Sequence, residues 1–237
     1  RSVTGRSVRS PRGCGTRWPR GCTRRNRWQL PEPGAASSDD ADALALISKI
    51  AHAIPRADEA AEAYQFALDA ACPALDATLG AVFVLQGGAE LMPLAAAYGW
   101  PDRHRPWLGE MRVRVGFGPS GEAASERRMI VVADLFEDAT LEDWQEVATE
   151  LGFRALVAVP MEAAGSVRGV ATFYFRDAAG PSARQRTLMR AVADLLAVVA
   201  ERHEMRAQLR RLEAVLADER QAPLVRLGED DTGATGG

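Results

Sequence analysis

Apolar positions in this chain follow no period at first, then a helical one, then a strand-like one, then a helical one again. Residues 1–28 show neither a period of 2 nor of 3.6, and Pro31-Glu32-Pro33-Gly34 reads as linker. Asp39-Asp40 can cap a helix with Leu44, Ile47 and Ile50 or Ile54 as its apolar positions, ended by Pro55. A second helical stretch, Ala57 to about Thr78, places Tyr64, Leu68, Ala71 and Leu75 on one face, and Pro73 is expected to kink or split it.

The period then shortens. Ala81–Leu85 and Leu91–Tyr98 flank Gly87-Gly88 and predict a hairpin. Met111, Val113 and Val115 alternate with Arg112 and Arg114, as expected for a half-buried strand of an antiparallel sheet. A short helix after Gly118-Pro119 and a strand over Met129–Ala133 follow. Thr140-Leu141-Glu142-Asp143 has the form of a capping box. It would open a helix with Trp144, Val147 and Leu151 on one face and Gly152 at its end. Arg154–Pro160 and Arg168–Phe175 form a further hairpin around Ala164-Gly165, and from Pro181 a long helix runs to about Glu219. Hairpins with helices clustered at the ends predict an α+β fold, not a doubly wound parallel sheet.

Charge divides the chain. Residues 1–28 carry nine Arg and no acid, and the other 20 basic residues face 32 acids, leaving 20 − 32 = −12 on residues 29–237. An acidic body argues against a nucleic-acid partner. No apolar run reaches the roughly 18–20 residues of a membrane span. Three Cys (Cys14, Cys22, Cys72) cannot make a disulfide framework, which favours a reducing, cytoplasmic setting. An opening Arg and cations that are all Arg except Lys49 fit a gene fragment with unstructured upstream sequence. The expected organisation is a disordered basic tail over 1–38 and an N-terminal helix over 39–56. A domain over 57–203 follows, then a terminal helix over 181–220 continuing as a coiled coil, and a disordered tail over 221–237.

One ordered set of residues is informative. Gly116-Phe117-Gly118 precedes Gly121-Glu122-Ala123-Ala124 and Ile130-Val131-Val132-Ala133-Asp134. Leu151-Gly152-Phe153-Arg154-Ala155-Leu156-Val157-Ala158-Val159-Pro160 and Gly165-Ser166-Val167-Arg168-Gly169-Val170 come after. This set resembles a GAF domain, over roughly residues 57–203. The resemblance implies an antiparallel sheet with helices on one side and a small-molecule pocket under the opposite face. It also implies a bacterial signalling context, such as a histidine kinase of a two-component system, where such domains sense ligands and dimerise without catalysing.

Other motifs weigh less. Gly116-x-Gly118-x-x-Gly121 matches the dinucleotide fingerprint as a string, but its strand alternates with Arg and its helix is short, so a tight turn at a pocket rim is the better reading. His203-Glu204-Met205-Arg206 resembles the start of a phosphoacceptor box, yet Ala207-Gln208 follows where that box has Pro. Solvated helix surface is favoured. His52, His104 and His203 lack ligand spacing for a metal, and His104 is expected to be exposed in a polar loop over Asp102–Pro106. Ser120 is in no nucleophile elbow, and Cys72 reads as a small core residue. GAF-like free methionine sulfoxide reductases need several cysteines, bilin attachment needs a pocket Cys, and cyclic-nucleotide GAF domains carry an Asn-Lys motif. None of these is met, and no cofactor is named by the sequence.

Aromatic residues near Gly116 are the candidate ligand-binding set: Tyr98, Phe117, Phe136, Trp144 and Phe153, with Asp134 and Arg154 for polar orientation. The expectation is a sensory module without catalytic activity of its own, binding an unidentified small molecule and relaying through a homodimeric terminal helix. A ligand-free dimerisation relay and a small GAF-fold enzyme are the alternatives. For the helix, the seam runs Leu188, Leu195, Arg202, Leu209, Leu216 with Ala191, Val198, Met205, Leu212, and Glu201 and Glu204 are expected to offset Arg202.

Overall fold

The computed structural model describes residues 38–87, 89–178 and 180–228. The expected basic tail up to residue 37 and the last stretch, 229–237, lie outside the described residues. Two helices open the fold, α1 (Ser38–Ala53) and α2 (Ala60–Ala74), joined by a 3-10 turn at Ile54–Arg56. Ile50 is fully buried while Leu44 stands in solvent, and Ala43, Leu46 and Ile47 pack against the core on the same side as Ile50. Tyr64, Leu68, Ala71 and Leu75 are all buried, as their spacing predicts. Helix α2 ends one residue after Pro73. The proline falls in the last turn, and Leu75 and Ala77 N–H close on Ala71 and Cys72 carbonyls while Asp76 takes φ 57° and turns the chain away.

Six strands make one sheet: β1 (Leu79–Val84), β2 (Leu91–Tyr98), β3 (Arg112–Arg114), β4 (Ile130–Val132), β5 (Ala155–Ala163) and β6 (Ser166–Phe175). The order is β3-β2-β1-β6-β5-β4, and every pairing is antiparallel. Ala164 (φ 48°) and Gly165 (φ 76°) form the two-residue turn between β5 and β6, both in the left-handed region that tight hairpins require. Period-2 alternation then sorts the sheet into two faces. Val82, Val157, Val159, Ala171 and Phe173 pack under α1, α2 and the long helix α6 (Ala183–Gly228). Ala81, Phe83, Leu156, Ala158, Val170 and Tyr174 face the other way. That second face is covered by short pieces: α3 (Arg105–Glu110), α4 (Gly118–Glu126) and α5 (Glu142–Leu151).

Three local expectations need correction. Residues 102–106 are not a polar loop but a 3-10 turn leading into α3, with Pro106 in its first turn, where a missing N–H costs nothing. Thr140 is not the cap of α5. Asp138 accepts from the Thr140 N–H (3.0 Å) and hydroxyl (2.6 Å), drawing Thr140 into a 3-10 turn, and α5 begins at Glu142. Helix α6 continues past residue 220 to Gly228 rather than ending near Glu219. Gly152 closes α5 at φ 71°, as expected.

Candidate functional site

Strand β6 positions the centre of the site. Its alternation sets Val170, Thr172 and Tyr174 on the face away from α6, beside Phe83 of β1 and Leu156 of β5. Strand β3 makes one wall. The chain then turns over the sheet through Gly116 (φ 83°) and Gly118 (φ 63°), conformations that glycine adopts without penalty. It enters α4 at Gly118, so that Pro119 and Ser120 hang over the floor. Leu135, Leu141 and Trp144 close the far side. Together they line a half-open cavity of about 260 Å³.

Glycine geometry decides the fingerprint question. A Cβ on Gly121 would lie 2.1 Å from the Arg114 carbonyl oxygen, so Gly121 lets α4 press against the β3 loop. Strand β3 is an antiparallel edge strand. The three glycines shape the cavity roof and do not follow a buried parallel strand as the dinucleotide motif demands.

The interior is mostly apolar, with a few polar groups. Ser120 and the buried Thr172 share a hydroxyl–hydroxyl bond of 2.8 Å, which pins α4 to the sheet centre. Burial raises the Tyr174 phenol well above its ordinary range, keeping it neutral. Its ring is met edge-on by Phe153 at 4.9 Å and Trp100 at 5.8 Å. Trp107 lies 5.9 Å from Trp100. Arg112 donates to the Gly109 (3.0 Å) and Met111 (2.9 Å) carbonyls, and Arg114 bonds Glu90 at 3.3 Å with its guanidinium 4.8 Å above the Phe117 ring.

The aromatic and polar candidates separate into three places. Phe117 and Trp144 line the cavity. Phe136, Phe153 and Arg154 border a shallower depression beyond α5, with Ala148, Gly152 and Arg176. Asp134 belongs with them: it pairs with Arg154 at 2.5 Å and accepts from Phe136 N–H at 3.0 Å, while Arg154 lies over the Phe136 ring. Burial pushes the Asp134 carboxyl up, but the Phe136 N–H and the Arg154 charge outweigh it and hold the group below its ordinary value. Tyr98 packs against the helix layer, on the opposite face of the sheet, because it pairs with Gly80. Sequence reasoning passed over Phe83, Ser120, Leu156 and Tyr174 as cavity residues. Strand parity on Arg168–Phe175, with a Thr in mid-run, was the available signal for Tyr174 and Thr172.

Three further residues differ from expectation. His104 is not exposed: its side chain is 15% accessible, its ring stands edge-on to Trp107, and Nε2 is 3.5 Å from Glu150, which Arg103 also holds at 2.9 Å. Glu201 and Glu204 do not serve Arg202. Both bind Arg168 of β6, Glu201 at 3.4 Å. Cys72 is buried in the helix layer, its thiol pushed up to about 12 by burial and by Asp69, on the face away from the cavity.

Comparison with known proteins agrees with this architecture. A family profile described as GAF domain matches residues 57–201, more than half of the chain. The chain is 26% identical over 102 residues to the methyl sulfide methyltransferase-associated sensor of Methanosarcina acetivorans, a match covering 43% of this chain and only 10% of that protein. The fold is similar to the GAF domain of a phosphoenolpyruvate-protein phosphotransferase from Coxiella burnetii (17% identity, 73% of this chain, 99% of that one, TM-score 0.62). It is also similar to free methionine-R-sulfoxide reductase from Neisseria meningitidis, solved with its substrate (16% identity, 74% and 97%, TM-score 0.58). The last likeness corrects the expectation that the chain has no catalytic activity: an enzyme shares this fold, so the fold does not exclude catalysis.

Proposed function

The chain belongs to the GAF domain family, and we propose that it works there as a sensory module: a small molecule fills the cavity, and the terminal helix carries its effect to a second copy. The observation that supports this most is the half-open cavity over Phe83, Leu156 and Tyr174, a concave and largely apolar space with a few fixed polar groups. A relay without a ligand would have that space filled by its own side chains. No described helix is long and apolar enough to cross a membrane, and we place the domain in the cytoplasm as part of a larger signalling protein, of the sensor-kinase kind. The partly matched relative, itself a sensor in name, is far longer than the matched stretch.

Helix α6 supports the homodimer. Leu188 and Leu195 pack into the domain's own core, so the first part of the expected seam is already occupied. Beyond it, Val198, Met205, Leu209, Leu212 and Leu216 are each more than half exposed, at spacings of seven, four, three and four. That stripe spans roughly 27 Å of helix at 1.5 Å per residue, and a parallel copy would bury it as the a and d positions of a coiled coil.

Native mass spectrometry of the full chain, purified from its expression host, tests the ligand, and light scattering tests the dimer. The proposal expects a bound small-molecule mass and a dimer that a chain ending at Ala200 loses. A full-length monomer, or an equally tight truncated dimer, rejects the helical relay.

A further inference from the structure

Strand pairing leaves a row of β3 backbone groups without a protein partner, and that row borders the cavity. The bonds joining β3 to β2 run from Leu94 N–H to the Met111 carbonyl (3.3 Å) and from Val115 N–H to the Glu90 carbonyl (2.9 Å), with Met92 opposite Val113. In an antiparallel pair, residues that bond inward alternate with residues whose N–H and C=O point outward. Positions 111, 113 and 115 form the inward set. Arg112 and Arg114 therefore turn their backbone groups away from β2. Phe117 N–H takes the Arg114 carbonyl at 3.1 Å. Among the described residues, no hydrogen bond reaches the Arg112 N–H, the Arg112 carbonyl or the Arg114 N–H. Strand β3 ends the sheet on this side, and Arg112–Arg114 line the cavity. An open edge of this kind is a template for strand addition.

We propose that the cavity takes a ligand containing one extended amino-acid unit, supplied by a short apolar peptide or an N-acylated amino acid, whose N–H and C=O pair with Arg112. The proposal rests on the reading of this cavity as a ligand site and specifies the ligand's polar part. Arg112 offers a donor and an acceptor on one residue, and their complement is a donor and an acceptor on one residue. A simple carboxylate can accept from the N–H but has nothing to give the carbonyl. Phe83, Leu135, Leu141, Trp144 and Leu156 receive the apolar side chain or acyl group. The volume, about 260 Å³, equals that of eight or nine waters at roughly 30 Å³ each, below the usual ~300–1,000 Å³ of sites for drug-sized molecules. One or two residues fit. No carboxylate lines the cavity, so a free carboxylate on the ligand meets no like charge at the wall.

Tryptophan fluorescence of the full chain, with Trp144 in the cavity wall, tests this. The probes are N-acetylleucine, the dipeptide Leu-Leu, N-acetyl-N-methylleucine and 4-methylpentanoate. Expected is saturable binding of one or both of the first two, which separates the acyl source from the peptide source. The N-methyl analogue, without the donor, should bind roughly five- to tenfold more weakly, the effect of one lost hydrogen bond. Arg112→Pro removes the outward N–H without breaking the β2 ladder, and Met111 before it already has the extended conformation proline requires (φ −64°, ψ 125°). It should weaken binding by that factor relative to Arg112→Ala, which loses the same side chain but keeps the N–H. Should Arg112→Pro not fold, hydrogen exchange on the wild-type chain replaces it, with N-acetylleucine slowing the Arg112 amide and the N-methyl analogue not doing so. Equal binding of the N-methyl analogue or of 4-methylpentanoate overturns edge pairing, as does equal loss in Arg112→Pro and Arg112→Ala. Anilinonaphthalene sulfonate separates the two readings: if it binds in the cavity while both amide probes fail, the pairing falls and the ligand site stands. If none of the compounds binds, both fall.

Discussion

Phe117 and Phe153 carry the same side chain to opposite fates, and truncating each to Ala measures the difference. Phe153 is 1% accessible, fills the space beneath α5 and meets the Tyr174 ring edge-on at 4.9 Å. Removing it deletes a fully buried ring and leaves a void the sheet cannot close, a loss of about 3–5 kcal/mol. Phe117 is 62% accessible and holds mainly the Arg114 guanidinium, 4.8 Å from its centroid. An exposed contact of that type contributes about 0.5–1 kcal/mol, so Phe117→Ala should cost no more than about that. At roughly 2–4 °C per kcal/mol for a chain of this size, Phe153→Ala lowers Tm on the order of 10 °C and Phe117→Ala by a few degrees at most. Thermal and urea unfolding followed by circular dichroism supply both numbers. Equal losses, or a larger loss for Phe117→Ala, would refute the division between core and cavity rim.

Three more outcomes follow from individual groups. The Asp134 carboxyl is held below its ordinary value, so its stabilisation is present above the unfolded pKa near ~3.9 and disappears as pH falls through the folded one; Asp134→Asn should lower Tm at neutral pH, and its gap to wild type should close below about pH 4. A wild-type-to-variant gap independent of pH would contradict this. Cys72, buried with its thiol at about 12, should resist iodoacetamide at pH 8 in the native chain and react once urea unfolds it, as peptide mapping would show. Gly121→Ala forces a Cβ to within 2.1 Å of the Arg114 carbonyl; displacing α4 should cost about 1–3 kcal/mol, and unchanged stability would mean that the roof is looser than its geometry.

The fold was legible because its determinants are local and periodic. Two-residue turns, strand parity and the helical spacing of Tyr64, Leu68, Ala71 and Leu75 each specify geometry from neighbours in sequence. Helix α3 was missed because its six residues are too few for a period, and Pro106 was taken as loop punctuation when it marks a helix start. The site was only half legible for another reason. A cavity is made where distant segments meet: of the residues grouped by proximity to Gly116 in sequence, Phe117 and Trp144 line it, while Phe136 and Phe153 border a separate depression beyond α5. Parity decides where Tyr98 lies: its pairing with Gly80 turns it to the helix layer, and one step along β2 would have put it on the cavity face.

A break in strand register lets one strand connect the cavity to the terminal helix. Strand β6 turns Thr172 and Tyr174 toward the cavity. Near its start the pairing with β5 shifts register between Met161 and Glu162, and Arg168 drops out of the pairing. Its side chain reaches Glu201 and Glu204 of α6 instead of following the parity of Thr172 and Tyr174. Those two carboxylates lie on α6 where the helix leaves the domain core, since Ala200 is still buried and Met205 is half exposed. Val198, Met205, Leu209 and Leu212 run alongside them on the same helix, Glu201 lying three residues after Val198 and four before Met205. The residues held by the sheet and the exposed apolar stripe therefore adjoin, over the same two turns. A shift of β6 caused by filling the cavity would reach α6 through Arg168, and a rotation of α6 would move its apolar stripe. Arg202, the one charged position in the seam, sits between Leu195, packed in the core, and Leu209, in the open stripe, where pairing is weakest and a change in register costs least. Replacing Arg168 with Met keeps the packed stem and removes the charge grip. In this arrangement it should leave ligand affinity nearly unchanged while abolishing any ligand dependence of dimerisation, and a variant that loses both together would show Arg168 to be part of the core alone.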